Sequence, residues 1–190
     1  GNTQIFRLFE GEENVRNSRA RAARIEAFSD LKWKRGDWQE WVGTYTIIKP
    51  QGAAIFQVKN NENDWGLMLG MSSTGNVTLN HRRGQDKVIA QNMIGKPFHI
   101  RVRDNGHHYE LYLNGKLEGT GSYDRPGGET SFRWGMYLGA KDVQNDAMIL
   151  VTGAGINPKD YNPGKAIATG TKDTAPVVSG PETHPPLNAP

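Results

Sequence analysis

The chain has no cysteine in 190 residues. That absence excludes disulfides, thiol nucleophiles and thiolate metal sites at once. No run is long and apolar enough to cross a bilayer as a helix, and with a mean hydropathy of −0.67 the chain reads as water-soluble. No basic-then-apolar leader opens the sequence. The expected location is secreted or periplasmic, with a signal peptide already removed. Almost no stretch repeats with a helical period, and the 23 glycines favour many turns over long helices. The histidines show no H-x-x-x-H or H-x-H spacing for zinc. No G-x-S-x-G elbow, P-loop or dinucleotide fingerprint is present, and no nucleic-acid-binding module pattern appears. The net charge is only +3, with a pI near 9.1, compatible with an anionic partner but weak support for one.

What is present is β-pattern. Gln4–Phe9 reads as a first strand, and Glu10 to Arg21 as a charged loop or short helix in which Arg16, Arg19 and Arg21 cluster with Arg24. Strands are then expected at 22–31, 41–49, 53–60, 65–71, 76–81, 87–91, 97–104, 107–113, 129–138 and 146–153. The turn signals Asn105-Gly106 and Asn114-Gly115 lie among them. Short strands with turn signals between them predict an all-β chain, a β-jelly roll sandwich of two antiparallel sheets. From Asn157 the composition shifts to Pro, Gly, Thr, Ser and Ala, and seven of the ten prolines lie at or beyond Pro158. Residues 1–156 are therefore read as one jelly-roll domain and 157–190 as an extended or disordered tail.

Three of the strands share a design. In Thr130–Leu138, Phe132, Trp134, Met136 and Leu138 fall on one face, and Arg133, Gly135 and Tyr137 on the other. In 22–31, Arg24, Glu26 and Phe28 oppose Ala23, Ile25 and Ala27. In 53–60, Gln57 and Lys59 oppose Phe56 and Val58. An ordinary solvated sheet face accounts for any one strand. If the three are neighbours, their polar faces combine into Arg, Glu, Gln, Lys, Arg and Tyr, a set suited to gripping an anionic sugar.

The order of these motifs resembles the jelly-roll polysaccharide lyases of the alginate lyase and glucuronan lyase group, which have a concanavalin-like fold. Those enzymes carry R-x-E, Q-x-H and Y-F-K-x-G-x-Y strands in that order. Here the matching segments are Arg24-Ile25-Glu26, Gln57-Val58-Lys59 and Ser131-Phe132-Arg133-Trp134-Gly135-Met136-Tyr137. The hairpin Tyr109–Lys116 is similar to the family's strand ending in L-N-G-K, and Trp38–Tyr45 to the strand after R-x-E. The resemblance spans roughly residues 20 to 153 and implies β-elimination on an anionic, uronate-containing polysaccharide. It implies that Arg24 and Gln57 neutralise the C5 carboxylate, that Glu26 holds Arg24, and that Arg133 binds a neighbouring uronate. Tyr137 would serve as base, acid or both, its phenolate favoured by nearby cations.

The chain departs from the pattern at two places. Lys59 stands where the family places histidine, and a lysine of ordinary pKa, about 10.4, is a poor base at neutral pH. Phe28 stands where the family has a second arginine. His81, beside Arg82 and Arg83, and His99, with Arg101 on the same strand face, are the substitutes expected to reach substrate. Each can equally be a surface group. No assignment falls on His107, His108 or His184. The alternative is a non-catalytic, lectin-like carbohydrate-binding domain that keeps the groove without the chemistry, and a structural or adhesion module is a third reading. No cofactor is required. The turn Asn60–Asp64 offers oxygens for a structural calcium ion, though a plain turn is the simpler reading. A monomer is expected, with neither nucleic acid nor membrane as partner.

Overall fold

In the computed structural model, residues 2–12, 22–140 and 142–172 are described, with side chains through Ile167. Among them twelve strands and one helix follow in order. They are β1 (Thr3–Leu8), β2 (Arg24–Phe28), β3 (Gln39–Lys49), β4 (Ala53–Lys59), β5 (Trp65–Met71), β6 (Val77–His81), β7 (Lys87–Ala90), β8 (Phe98–Asp104), β9 (His108–Leu113), β10 (Lys116–Ser122), β11 (Ser131–Leu138), β12 (Ala147–Ile156) and α1 (Pro163–Lys172). They form two six-stranded antiparallel sheets, ordered β1-β12-β3-β8-β9-β10 and β2-β11-β4-β5-β6-β7. This is the jelly-roll sandwich that the alternating pattern predicts.

The inner faces explain the patterns. Trp41, Tyr45, Ile47, Phe98, Ile100 and Leu111 of the first sheet meet Phe56, Val58, Leu67, Leu69, Leu79 and Phe132 of the second, all fully buried. Tilted aromatic pairs tie the layers: Trp41 lies 4.7 Å from Phe56 and 5.8 Å from Trp134. A polar knot closes one end. Asp104 and Arg125 are buried, joined at 2.6 Å, and Asp104 also accepts hydrogen bonds from Trp33 Nε1 and Gly106 N.

Ladder slips break β4 at Ile55 where it meets both β11 and β5, and a further slip against β5 falls between Val58 and Lys59. The Ile55 carbonyl accepts a hydrogen bond from Tyr45 Oη at 3.0 Å across the sandwich. A polar group loosened at an irregular step of the ladder is thus satisfied by the opposite sheet.

Two elements differ from expectation. Lys116–Ser122 forms β10 beside β9, although its glycines and polar residues give no clear alternation. The segment after Asn157, expected as extended or disordered, contains α1, which packs against β8 and β3. Its start is legible after the fact: Asn162 Oδ1 accepts from Lys165 N, and Pro163 takes the first helical position. The basic cluster Arg16, Arg19 and Arg21, and His184, lie outside the described residues.

Candidate active site

The three strands that share a polar face are adjacent. β11 lies between β2 and β4, with Arg24 opposite Tyr137, Phe28 opposite Arg133, and Gln57 opposite Arg133 on its other side. Arg24, Glu26, Gln57, Lys59, Arg133 and Tyr137 therefore converge on the outer face of the second sheet. Ile25 and Ala27 pack toward the core.

Gly135 permits the close pairing of β2 and β11. Its φ is +131°, and a Cβ there would lie 2.3 Å from the Ile25 carbonyl and 2.9 Å from Phe6. The space beside its Cα is filled by neighbouring atoms rather than shown to water, as the alternation had suggested. Only glycine holds this backbone without strain.

Glu26 is the hub of the site. It accepts a hydrogen bond from Gln57 Nε2 at 2.5 Å, while Arg24 Nη1 sits 4.0 Å from its other oxygen. It therefore orients Gln57 more directly than Arg24. Burial pushes its carboxyl above the usual range, opposed by the Gln57 bond and by Arg24, Arg133 and Lys59. The Arg24 guanidinium lies 5.4 Å from the centre of the Tyr137 ring. Lys59 Nζ donates to Asn63 Oδ1 at 2.9 Å. Burial, and then the Arg133 charge, hold its ammonium below the ordinary lysine range. The change favours a neutral amine but leaves the Asn63 contact in place.

Arg133 does not offer the open guanidinium expected of a uronate contact. It is only 6% exposed. Its Nη2 donates to Asn61 Oδ1 at 3.0 Å and, at 3.4 Å, to the Asn60 carbonyl, and its guanidinium lies 4.6 Å over the Phe28 ring. It acts on the face through its field and by fixing Phe28, which is exposed.

Three expected residues lie elsewhere. His81 pairs with Leu67, whose side chain is fully buried, and meets Tyr109 of the first sheet through its Nδ1 at 2.7 Å. Strand parity turns it inward, away from Tyr137. His99 and Arg101 belong to β8, in the other sheet. The His99 ring bonds Thr44 Oγ1 at 3.1 Å and Tyr161 Oη at 2.6 Å. Arg101 pairs with Glu40 at 2.6 Å and lies over Tyr112 and Tyr161. Neither reaches the polar face, because the sandwich puts its two outer faces on opposite sides.

His99 instead carries a stability prediction. Burial, and secondarily Arg101, lower its pKa from 6.5 to about 4. Below about pH 6.5 the unfolded chain takes up a proton that the folded chain refuses. Stability is full above that pH, falls toward about pH 4 and then levels in this contribution. Thermal midpoints measured across this window will fall in the parent, and His99→Gln will flatten that slope.

The turn 60–64 spends its three asparagine side-chain oxygens on the protein. Asn60 Oδ1 accepts from Glu62 N and Asp64 N, Asn61 Oδ1 from Arg133, and Asn63 Oδ1 from Lys59. Among the described residues no group of three or more His, Asp or Glu is placed to hold a metal ion.

The two-sheet sandwich has the jelly-roll fold of the alginate-lyase-like polysaccharide lyases. Comparison with solved structures gives the same answer. AlyA1, titled a marine alginate lyase of polysaccharide lyase family 7 from Zobellia galactanivorans, superposes with a TM-score of 0.65 at 15% identity, covering 80% of this chain and 76% of that one. AlgAT5, titled an alginate lyase of the same family, gives 0.64 at 15% identity over 80% and 76%. Alginate lyase A1-II', titled a member of family 7, gives 0.65 at 12% identity over 82% and 79%. At these identities the likeness establishes the fold. No family model matches the chain, and no curated protein is similar to it in sequence.

Proposed function

We propose that the protein is a polysaccharide lyase that cleaves a uronate-containing polymer by β-elimination. The observation that carries this reading is the convergence of Arg24, Gln57, Lys59 and Tyr137 on one face of three adjacent strands. In this reading Arg24 and Gln57 engage the C5 carboxylate, drawing negative charge from the carbon whose proton must leave. The C5 proton passes to a base, a double bond forms between C4 and C5, and the C4–O glycosidic bond breaks. The leaving oxygen takes a proton. Both transfers are assigned to Tyr137. Lys59 adds a second positive charge for the carboxylate. Glu26 is a positioning residue that holds Gln57 and Arg24.

Alginate is the first substrate to test, because the similar structures are titled alginate lyases; glucuronan is the second. One observation favours a binding domain instead. The position expected to hold histidine is Lys59, tied to Asn63, and none of the described histidines faces Tyr137. The test is ultraviolet absorbance of the unsaturated ends made by elimination. Incubation with alginate or glucuronan is expected to raise it. Binding to the polymers without any rise would overturn the lyase reading and leave the lectin-like one.

A further inference from the structure

The alternation of Trp65, Leu67, Leu69 and Met71 would turn Trp65 toward the core, yet Trp65 is only partly buried. The reason is a bulge. Val58 pairs with Leu67, but the next residue, Lys59, pairs with Trp65, leaving Gly66 unpaired between them. Gly66 points inward: a Cβ there would lie 2.1 Å from Arg125 Nη1 and 3.3 Å from the Tyr109 ring. The extra residue reverses the parity and sets Trp65 beside Lys59 on the polar face.

Two other elements meet Trp65 there. Arg82, just after β6, is fixed by its backbone N–H to the Gly66 carbonyl. Its guanidinium lies 5.4 Å from the Trp65 ring centre and 5.8 Å from that of Tyr123, which follows β10. Arg83 lies 5.1 Å from the Tyr123 ring. Both arginines are exposed, and among the described residues neither has a carboxylate within ion-pair reach. Of the acids nearby, Asp64 accepts from Tyr123 Oη at 3.4 Å.

We infer that Trp65, Arg82, Arg83 and Tyr123 form a distal subsite for an anionic sugar, extending the face past Lys59. This rests on the uronate reading of that face. A solvated basic turn would leave its guanidiniums free to wander. Here aromatic rings from two separate elements flank them, so less freedom is lost when a carboxylate arrives. From β11 to β6 is three strand spacings, roughly 15 Å, so the subsite lies several sugar units from Tyr137. It takes an internal uronate of a long chain and leaves short oligomers untouched.

The test uses uronate oligomers of two and of six units, titrated calorimetrically into the full chain, its Arg82→Ala/Arg83→Ala variant and an Arg82→Lys/Arg83→Lys variant. The parent is expected to bind the hexamer about tenfold more tightly than the alanine variant does, the scale of one charge-assisted contact. Dimer affinity will be the same in both. The hexamer's salt dependence will be shallower in the alanine variant. The lysine variant, keeping charge without the planar fork, is expected to fall between them. Hexamer affinity unchanged by the alanine pair overturns the subsite while the rest of the face stands. A parent that binds neither oligomer overturns the uronate reading and the subsite with it. Matching circular dichroism spectra exclude misfolding as the cause.

Discussion

Replacing Tyr137 by phenylalanine will lower turnover on the polymer that gives an ultraviolet signal by about 10²- to 10⁴-fold, the range of a positioned proton-transfer group. Polymer affinity will stay near that of the parent. The hydroxyl is the only group removed, and the ring that Arg24 faces at 5.4 Å remains. The measurement is kcat from single-turnover absorbance, with affinity taken separately by calorimetry. A kcat within a factor of two of the parent would remove Tyr137 from the chemistry and shift attention to Lys59. Burial, and then the Arg133 charge, already hold the Lys59 pKa below the ordinary lysine range. Equal losses of turnover and affinity would instead mean that the hydroxyl serves binding.

Arg125→Ala will cost about 3–5 kcal/mol of folding stability, the usual penalty for stranding one member of a buried ion pair. Both side chains are fully enclosed, and Arg125 Nη2 meets both Asp104 oxygens at 2.6 Å while its Nε donates to Thr130. Without the guanidinium, Asp104 keeps only the Trp33 and Gly106 bonds to offset its burial, which already raises its pKa. The folded variant will hold a proton on Asp104 more firmly than the unfolded chain does. It will therefore gain stability as pH falls through that raised value toward 3.8, the ordinary one. Urea unfolding at pH 7 and at mildly acid pH checks both parts. An Arg125→Met/Asp104→Leu pair is expected to recover much of the loss, because it removes the stranded charge.

The sequence was most legible where burial acts on alternate residues. β5 has the expected bounds, and β4, β8, β9 and β11 shift by one or two residues at an end, because large apolar side chains mark their inner faces. The adjacency of β2, β11 and β4 was legible only as a condition, since pairing between distant segments leaves no local signal. The two misplaced histidines have different causes: His81 shares the inward parity of Val77 and Leu79 in the sheet that holds the site, whereas His99 lies in the other sheet. Alternation separates two faces of one strand, but it does not say which sheet the strand joins. His99 shows this, lying on an outward face of the wrong sheet. The side that Trp65 takes had no signal in the sequence: one extra residue at Gly66 inverts it, and a bulge has no period to detect. α1 was hidden because its glycines and threonines are poor helix formers, and its packing on the first sheet outweighs that propensity.

Among the described residues β2 pairs on one side only, with β11, and it is five residues long with none of its residues among the buried hydrophobic core. Such a strand opens at a free energy well below that of the whole domain. Arg24 and Glu26 leave with it, while Gln57, Lys59 and Tyr137 stay on the eleven strands that remain around the shared core. The proposed carboxylate grip and the fold thus have separate thresholds: denaturant or heat can silence the former in molecules that still register as native by their bulk secondary structure.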